Sequence, residues 1–434
     1  MNRILRGLIV IGFTLVISTA GYSQRYLSDL DSSLFIKDTL RPLLKRLDNI
    51  HMAGYIQSQF QLAQKEGTKS YSGGDFSQFS KSRFMLRRAR VKIDYFLTTK
   101  DKFPKALFTF QFDATERGVN VRDMFLRLYE TKHHNFALTT GLFARPFGYE
   151  VNLSSGFRES PERGRMSQIL LPVERDLGAM VSFEPQDKKH TLRWLKVDAG
   201  IFNGPGLTGT TDFDSRKDLI SRAIIKPIRI SKLEISGGLS VLFGGWRQAT
   251  KYVYKDGEAS SGDKVFVVDS SLSNIGKIAS RKYYGADIQL KWSHGWGETE
   301  VRGEYWMGRQ PGSAITTTSP GVLPNAPVYF RDFNGAFIYF LQNIVDKKNQ
   351  LILKYDWYDP HTSVKGKDIG KAGTNLSSTD ISYSTTGIGY IHYFSDNIKL
   401  VLYYDIVNNE TTQLPGYTSD IKDNTLTCRI QFRF

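Results

Sequence analysis

The feature that most constrains this chain is a two-residue hydrophobic period that runs through segments of about ten residues. Within Tyr283 to Trp292, the apolar face consists of Tyr284, Ala286, Ile288, Leu290 and Trp292. The segments 232–243 and 397–407 repeat this pattern. Because successive side chains of a strand point to opposite faces, each segment is predicted to be a strand that separates an apolar phase from water.

The length and the aromatic content of these strands favour lipid as the apolar phase. The strands extend for about ten residues, whereas strands of soluble proteins average about five or six. Tyrosine and tryptophan lie near strand ends, as at Trp292, Tyr305 and Trp357, which suits the aromatic girdle of a membrane barrel. No segment beyond residue 23 has the roughly twenty apolar residues that a transmembrane helix needs.

The connections between the predicted strands alternate between short and long. Short turns are predicted at 131–135, 185–189, 293–297, 345–349 and 395–397, and long polar stretches at 145–177, 204–217, 244–280, 309–332 and 359–380. We therefore predict an all-β fold, a transmembrane antiparallel β-barrel of about sixteen strands with short periplasmic turns and long extracellular loops. The barrel is expected over residues 51–434, in the outer membrane of a Gram-negative bacterium.

The first fifty residues are expected to lie outside the barrel. Two arginines, an apolar run from Leu8 to Ile17 and the small residues that follow have the layout of a secretory signal peptide over residues 1–23. Residues 24–50 contain apolar side chains at helical spacing. We interpret this second segment as a periplasmic helix or a linker.

The charge of the chain bears on its partners. Lysine and arginine total 58 against 43 acidic residues, a net charge of +15, which would attract anionic lipid headgroups or small anions in the lumen. Export argues against nucleic acid as a partner. The single cysteine, Cys428, excludes a disulfide framework. No spacing of cysteine, histidine and carboxylates points to a metal site, and we predict no cofactor.

Candidate solute contacts begin on the predicted strand 84–96. Three cations spaced two residues apart share its polar face: Arg88, Arg90 and Lys92. A charged side chain that faces lipid at mid-membrane costs about 2–4 kcal/mol, so we place these cations in the lumen. They could line the path of an anion, or brace the wall by pairing with Asp94, Asp113 and Asp123, and both roles can hold. Arg87 breaks the alternation and is expected near a membrane interface.

The second set of candidates lies on an unusually long connection. The strand that includes Gly141 stops at Pro146, and a loop of roughly thirty residues follows, a length that is usually functional or disordered. Three of its arginines are candidates for a constriction in the lumen, namely Arg158, Arg163 and Arg165, and Arg175 is a further candidate for lining the pore and binding anions. Guanidinium suits such a role because its fork matches the oxygens of phosphate or carboxylate. The alternative is a solvated surface loop whose charges cancel against Glu159 and Glu162.

Several motifs, in this order, resemble the phosphate-selective porin O and P family. They are GYIQSQFQ at 54–61, FMLRRARVKIDYF at 84–96, FQFD at 110–113, GLFARPFGYE at 141–150, RDLG at 175–178 and IFNGPG at 201–206. The resemblance implies a barrel that is usually a homotrimer, with a third loop, here about 147–176, folded inward to narrow the pore. It also implies a passive path for anions such as phosphate. The alternating residues up to Phe434 resemble the signal that barrel-assembly machinery reads.

The sequence therefore predicts an outer-membrane porin for passive diffusion of small solutes, with a preference for anions, and not an enzyme. The expected partners are small anions such as phosphate, outer-membrane lipid, further copies of the chain and the barrel-assembly machinery. Two alternatives stay open. One is a structural or adhesive barrel without an open pore, and the other is an outer-membrane hydrolase whose catalytic residues are scattered over several strands.

Overall fold

The computed structural model of the chain describes residues 49–100, 102–209 and 212–434. These residues form a closed antiparallel barrel. The predicted signal peptide at 1–23 and all but the last two residues of the predicted helix or linker at 24–50 lie outside the described residues.

The eighteen strands of the sheet include sixteen that form a closed ring. They are β1 (Ile50–Ala63), β2 (Ser82–Thr98), β3 (Pro104–Thr115), β4 (Gly118–Tyr129), β5 (Phe136–Ala144), β6 (Arg175–Phe183), β7 (Leu195–Phe202), β8 (Asp218–Ile230), β9 (Leu233–Arg247), β12 (Ile278–His294), β13 (Gly297–Gly312), β14 (Val328–Ile344), β15 (Asp346–Asp359), β16 (Tyr383–Tyr393), β17 (Ile398–Asn409) and β18 (Thr425–Arg433). Each of these sixteen strands pairs with the ring strands that precede and follow it, and β1 closes the ring by pairing with both β2 and β18. The predicted all-β barrel is confirmed.

The other two strands form a hairpin outside the ring. They are β10 (Val253–Glu258) and β11 (Lys264–Asp269). Because β9 pairs directly with β12, this hairpin belongs to the long connection predicted at 244–280. The start of β10 runs parallel to the start of β14, with Val253 opposite Val328, so the hairpin is anchored to the barrel wall.

Helices are few and short in the part of the chain that the structure describes. One α-helix, α1 (Arg165–Leu170), lies between β5 and β6, and 3₁₀ turns occur at Gly206–Thr208, Leu272–Asn274 and Ser378–Asp380. Among the described residues, no helix has the length and the apolar character that a membrane span requires.

The two ends of the barrel differ in the length of their connections. At the periplasmic end β8 and β9 join through Ser231 and Lys232, whereas extracellular connections include 64–81, 145–174 and 410–424. The alternation has one exception, because β3 and β4 join at the extracellular end through Glu116 and Arg117 alone.

The two faces of the wall have opposite polarity. Leu239, at 66 % exposure, and Ile288 belong to the band of apolar side chains on the outer surface, whereas Gln57, Gln59 and Gln61 of β1 are buried inside. An apolar outer band around a polar interior is the arrangement that a transmembrane barrel requires.

A β-bulge in β2 determines the direction of the Arg87 side chain. The register between β1 and β2 passes from Gln57–Arg88 to Ser58–Leu86, which leaves Arg87 as an extra residue. A bulge locally bends the strand and redirects a side chain. The Nε atom of Arg87 lies 2.8 Å from a carboxylate oxygen of Glu162. The Arg87 guanidinium is therefore directed toward the connection between β5 and β6, and the expected position of Arg87 near a membrane interface stays a prediction.

A second bulge occurs in β4. The register between β3 and β4 passes from Gln111–Asp123 to Phe112–Val121, so that Arg122 is the extra residue. Its guanidinium lies 2.7 Å from Glu174. Two bulges on strands of the same wall thus each direct an arginine toward a carboxylate of the connection between β5 and β6.

Candidate functional site: the lumen and the segment inside it

Residues 145–174, between β5 and β6, pack against side chains of distant strands, and we call them the inner segment. Phe147 is fully buried, and its ring meets Trp306 of β13 edge to face at 4.8 Å between centroids. The apolar cluster around it also contains Leu170 and Leu171 of the inner segment, together with Ile220 and Leu242 of the wall. Burial of these side chains fixes the segment to the wall formed by β8, β9 and β13.

A close approach to Glu304 shapes the first turn of the inner segment. The carboxylate of Glu304 accepts the backbone N–H groups of Tyr149 at 2.8 Å and Glu150 at 2.9 Å. Gly148 has a φ of +70°, and a Cβ there would lie 2.2 Å from Glu304 Oε1. Glycine is therefore the residue that this turn accommodates.

The carboxylate of Glu150 then organises the start of α1. It accepts the backbone N–H of Gly164 at 2.9 Å and the hydroxyl of Ser167 at 2.6 Å. A carboxylate beside the first turn of a helix satisfies donors that lack an intrahelical partner. Glu304 of the wall binds the backbone of Glu150, and the side chain of Glu150 binds the start of α1. Together, the two carboxylates connect the barrel wall to the short helix.

Glu162 lies among three arginines of the wall. Its carboxylate is 2.8 Å from Arg87, 2.6 Å from Arg88 and 3.0 Å from Arg429 of β18. Burial alone would raise the pKa of Glu162, but the three guanidiniums hold that pKa well below its usual range. The charged Glu162 thus attaches the inner segment to β2 and β18, the two strands that flank β1.

Glu174 repeats this arrangement at the end of the inner segment. Its carboxylate lies 2.7 Å from Arg122, 3.4 Å from Arg163 and 3.4 Å from Arg175. Burial would raise the pKa of Glu174, and the surrounding arginines instead hold it well below its usual range. Each of these two carboxylates therefore leaves an excess of positive charge around it.

The three cations predicted on β2 each pair with a carboxylate. Arg88 binds Glu162, the guanidinium of Arg90 lies 2.9 Å from Asp113, and Lys92 lies 2.8 Å from Asp94. Arg175 likewise pairs with Asp123 at 3.0 Å. The pairs Arg90–Asp113 and Lys92–Asp94 are among those that the bracing interpretation names, whereas Arg88 pairs with Glu162 and Asp123 with Arg175. The predicted contact of these cations with a solute stays a prediction.

Two of the predicted constriction arginines are held by the inner segment and its surroundings. Arg163 donates to the carbonyl oxygen of Ser167 at 3.0 Å and to that of Leu171 at 3.1 Å, so it ties together the turn around α1. The guanidinium of Arg165 lies 4.4 Å from the ring centre of Tyr71 and 3.6 Å from that of Tyr383. Stacking between aromatic faces holds a guanidinium in place and leaves its edges free for other partners.

Arg158 is the buried member of the predicted set that forms no ion pair within the described residues; Arg165, which also forms none there, is half-buried. It is 5 % exposed, and it donates to the carbonyl oxygen of Leu153 at 3.1 Å. No carboxylate among the described residues forms an ion pair with it, and its Nε atom has no hydrogen-bond partner there. Burial lowers the pKa of the Arg158 guanidinium. A buried cation without a counter-charge is costly unless an anion or water approaches it.

Arg158 faces a cavity of about 750 Å³ between the inner segment and the wall formed by β1 to β6. The cavity is lined by the cations Arg90, Lys92, Arg127, Arg158, Arg175 and Arg433, and by the carboxylates Asp123, Glu174 and Glu184. Six cationic and three anionic side chains therefore surround the space. Arg90 and Lys92 are paired with Asp113 and Asp94 outside this lining, so Arg158 is the buried cation of the lining that no described carboxylate pairs with.

Smaller spaces lie on the extracellular side of the inner segment. A cavity of about 30 Å³ is lined by Glu162, Arg163 and Arg165 together with Lys354 and Asp405 of the wall, and it has room for about one water molecule. It shares Arg165 with a wider cavity of about 210 Å³ that includes parts of the extracellular loops. Residues 159–163 thus separate a narrow space from the large one.

Several residues of this site were absent from the sequence-based set. Arg429 lies on the polar face of an alternating strand, so the alternation contained the signal needed to include it. Arg87 and Arg122 are directed by bulges, which depend on the pairing of two strands. No group of three or more histidine, cysteine or acidic side chains in the described ranges could hold a metal ion.

The closed ring and its polar interior define the fold as that of the outer-membrane porins. No family model matches the sequence, and no curated protein matches it either. Among solved structures, OprB of Pseudomonas putida is similar with a TM-score of 0.59 and 10% identity, over 92% of this chain and 97% of that one. The outer-membrane channel DcaP of Acinetobacter baumannii has a TM-score of 0.52 and 12% identity, over 89% of this chain and 97% of that one. OmpF of Salmonella typhi, in complex with daunomycin, has a TM-score of 0.51 and 11% identity, over 89% of this chain and 97% of that one.

These similarities concern the fold. The expected outer-membrane location is confirmed at this level, because the barrel, its apolar outer band and its structural neighbours are those of outer-membrane proteins. The resemblance to the phosphate-selective family remains a prediction.

Proposed function

We propose that this protein is an outer-membrane channel through which small solutes diffuse passively, with a preference for anions. The observation that carries the proposal is Arg158, a buried cation without a carboxylate partner that lines the cavity of about 750 Å³. An anion that enters the cavity would supply the missing counter-charge. The fold of the structural neighbours supports the channel part of the proposal.

The charge distribution gives a physical reason for the preference. Charges in a narrow, protein-walled space are screened less than charges on an exposed surface, so the cationic excess raises the local concentration of anions. Conduction also requires that each contact be weak and that several be available in succession. In this proposal Arg158, Arg90 and Lys92 provide such contacts, while Glu162 and Glu174 keep the inner segment in place.

The proposed path runs past the inner segment. A solute would enter through the extracellular spaces near Arg165 and pass residues 159–163 to reach the large cavity that leads to the periplasm. Because the narrow space beside residues 159–163 has room for about one water molecule, the proposal requires this space to widen when a solute passes. The proposal includes a signal peptide at residues 1–23, assembly by the barrel-assembly machinery and a homotrimer in the membrane. Phosphate is the anion that the sequence resemblance makes the first to test.

The test of the proposal is the reversal potential of purified protein in a planar bilayer with unequal potassium chloride on the two sides. We expect a potential of the sign that anion preference produces, and a shift toward zero in Arg158→Gln because the uncompensated charge is removed. The matched control is Arg117→Gln, which removes an exposed arginine from the β3–β4 turn and should leave the potential unchanged. A potential of the opposite sign would overturn the anion preference.

Addition of phosphate separates a phosphate channel from a general anion channel. If phosphate binds beside Arg158, it should reduce the chloride current of the wild-type protein more than that of Arg158→Gln. Equal currents with and without phosphate would exclude phosphate selectivity and retain the anion channel. Absence of conductance from a folded barrel would instead favour the structural or adhesive alternative.

A further inference from the structure

A cluster of cations lies on the outer surface at the extracellular ends of three neighbouring strands. It consists of Arg247 of β9, Lys282 of β12 and Arg309 of β13, and we call it the rim cluster. These residues share the strand face of Phe243, Tyr284 and Met307, which are exposed on the outer surface. Their side chains therefore project away from the lumen and take no part in the proposed solute path.

The rim cluster lies directly beyond the apolar band. Lys282 is two residues from Tyr284, and Arg309 is two residues from Met307, a step of about 7 Å along a strand. The rings of Phe243 and Tyr284 meet edge to face at 5.9 Å, and aromatic side chains at this level mark the boundary between hydrocarbon and headgroups. The cations are thus at the height of the headgroups of the external leaflet.

The repulsion within the rim cluster is only partly offset by a carboxylate of the chain. Lys282 is the direct cross-strand partner of Arg309, and like charges in that position repel each other. Arg309 also binds Asp332 at 2.7 Å. No carboxylate in the described ranges forms an ion pair with Lys282 or with the guanidinium of Arg247; the nearby Asp214 accepts only the backbone N–H of Arg247, at 2.7 Å.

The cationic character is local to this part of the wall. On the next two strands, the outward positions at the extracellular ends are Asp332, Asn334 and Asp359. A general requirement for positive charge at the membrane boundary would not produce this difference between neighbouring strands. The rim cluster is therefore better explained by a ligand that binds at β9, β12 and β13.

We propose that the rim cluster binds the phosphorylated headgroup of a lipid in the external leaflet. Phosphate oxygens would bind the amino group of Lys282 and the guanidinium of Arg247, and would offset the repulsion between Lys282 and Arg309. The acyl chains of the same lipid would cover Phe243 and Tyr284. Neither the pore nor its selectivity is needed for this site.

The test is binding of bisphosphorylated lipid A to the intact barrel in nanodiscs, measured by native mass spectrometry. We expect the double variant Arg247→Gln/Lys282→Gln to bind lipid A more weakly by roughly thirtyfold, since each of the two cations near a lipid surface contributes about 1 kcal/mol and about 1.4 kcal/mol is a factor of ten. The control Lys347→Gln/Lys348→Gln removes two exposed charges at the periplasmic start of β15 and should bind as the wild type does.

Two further measurements identify the ligand. Dephosphorylated lipid A should bind the wild type as weakly as lipid A binds the double variant, and inorganic phosphate should not displace lipid A. Equal binding of lipid A by all three proteins, equal binding of the dephosphorylated lipid, or displacement by free phosphate would each overturn the proposal. The double variant should retain the wild-type reversal potential, so the result is independent of the proposed channel function.

Discussion

In the extracellular loops, as in the lumen, single ionisable side chains hold together segments that are distant in the chain. His361 is 1 % exposed, and its ring nitrogens lie 2.7 Å from Asp256 of β10 and 2.9 Å from Asp380. Arg331 also binds Asp380, at 2.7 Å, and Ser363 donates to Asp256. A protonated imidazole can donate to both carboxylates, whereas a neutral one has a single N–H. His361 therefore binds both carboxylates at once only when it is charged, and its bond to Asp256, together with that of Ser363, joins the β10–β11 hairpin to the loop after β15.

This contact predicts that the hairpin loosens at alkaline pH. Burial would lower the pKa of His361, but its hydrogen bonds to Asp256 and Asp380 outweigh burial and raise that pKa. A raised folded-state pKa means that the stabilisation is complete below the unfolded value of about 6.5 and is lost as pH rises through the folded value. Hydrogen exchange of residues 253–269 should therefore accelerate as the pH rises from below about 6.5 through the raised pKa of His361.

The control for the pH prediction is His361→Gln, whose side chain does not titrate. After correction for the intrinsic pH dependence of exchange, this variant should show no such step. A step of equal size in the variant would assign the change to another group.

Alternation in the sequence predicts which face of a strand a side chain occupies, but it does not predict the partners of that side chain. The face of Arg88 and Arg90 follows from alternation, because lipid and water impose it on every regular strand. The partners of Arg88 do not follow from alternation, since Glu162 is distant in sequence and depends on the path of the inner segment. The burial of Arg158 without a carboxylate depends on that path in the same way.

At the scale of elements, the bulge in β2 has a testable consequence. Because Arg87 is the extra residue of the pair β1–β2, its deletion should restore a regular register in which Leu86 and Arg88 keep their faces. We expect the barrel to fold with unchanged resistance to protease and unchanged heat-dependent mobility on gels. Glu162 would keep Arg88 and Arg429 as partners.

Deletion of Val91 from the same strand is the matched comparison. Val91 pairs regularly with Gly54, so its loss turns either Arg88 and Arg90 or Lys92 toward lipid, at a cost of about 2–4 kcal/mol for each cation near mid-membrane. We expect little folded protein from this variant. Equal yields from the two deletions would contradict the assignment of the bulge.

The elements themselves differ in how far sequence predicts them. Strands such as β12 are recognisable because their environment repeats every two residues. The hairpin β10–β11 was predicted only as part of a long loop, and the bulges produce no periodic signal. The position of the inner segment came from a family resemblance, because its contacts with Glu304 and Trp306 join residues far apart in the chain.

For the whole molecule, the proposed channel has a characteristic dependence on salt. The Debye length falls from about 10 Å at 0.1 M to about 3 Å at 1 M salt, which screens exposed charges more than buried ones. If buried cations such as Arg158 and Arg90 set the preference, reversal potentials at a fixed concentration ratio should decrease with mean salt and remain on the anion side at 1 M. Loss of the preference at 1 M would assign it to surface charge instead.

The closed fold was predictable because membrane insertion imposes one pattern on nearly every strand. The solute was not, because it depends on a few side chains in a space that several distant segments enclose. A net charge of +15 is compatible with attraction to lipid or to small anions, and the structure contains candidates for both, in the rim cluster and in the large cavity.

The pairing of β1 with β18 affects the order in which the strand pairs of the barrel can form. Tyr55 lies opposite Arg433, so the contact that closes the ring joins residues separated by nearly the whole described chain. Contacts between such distant residues form slowly, because the intervening chain must first be brought together. Every other strand can pair with a neighbour as soon as that neighbour is made, but β1 keeps one open edge until the last strand arrives.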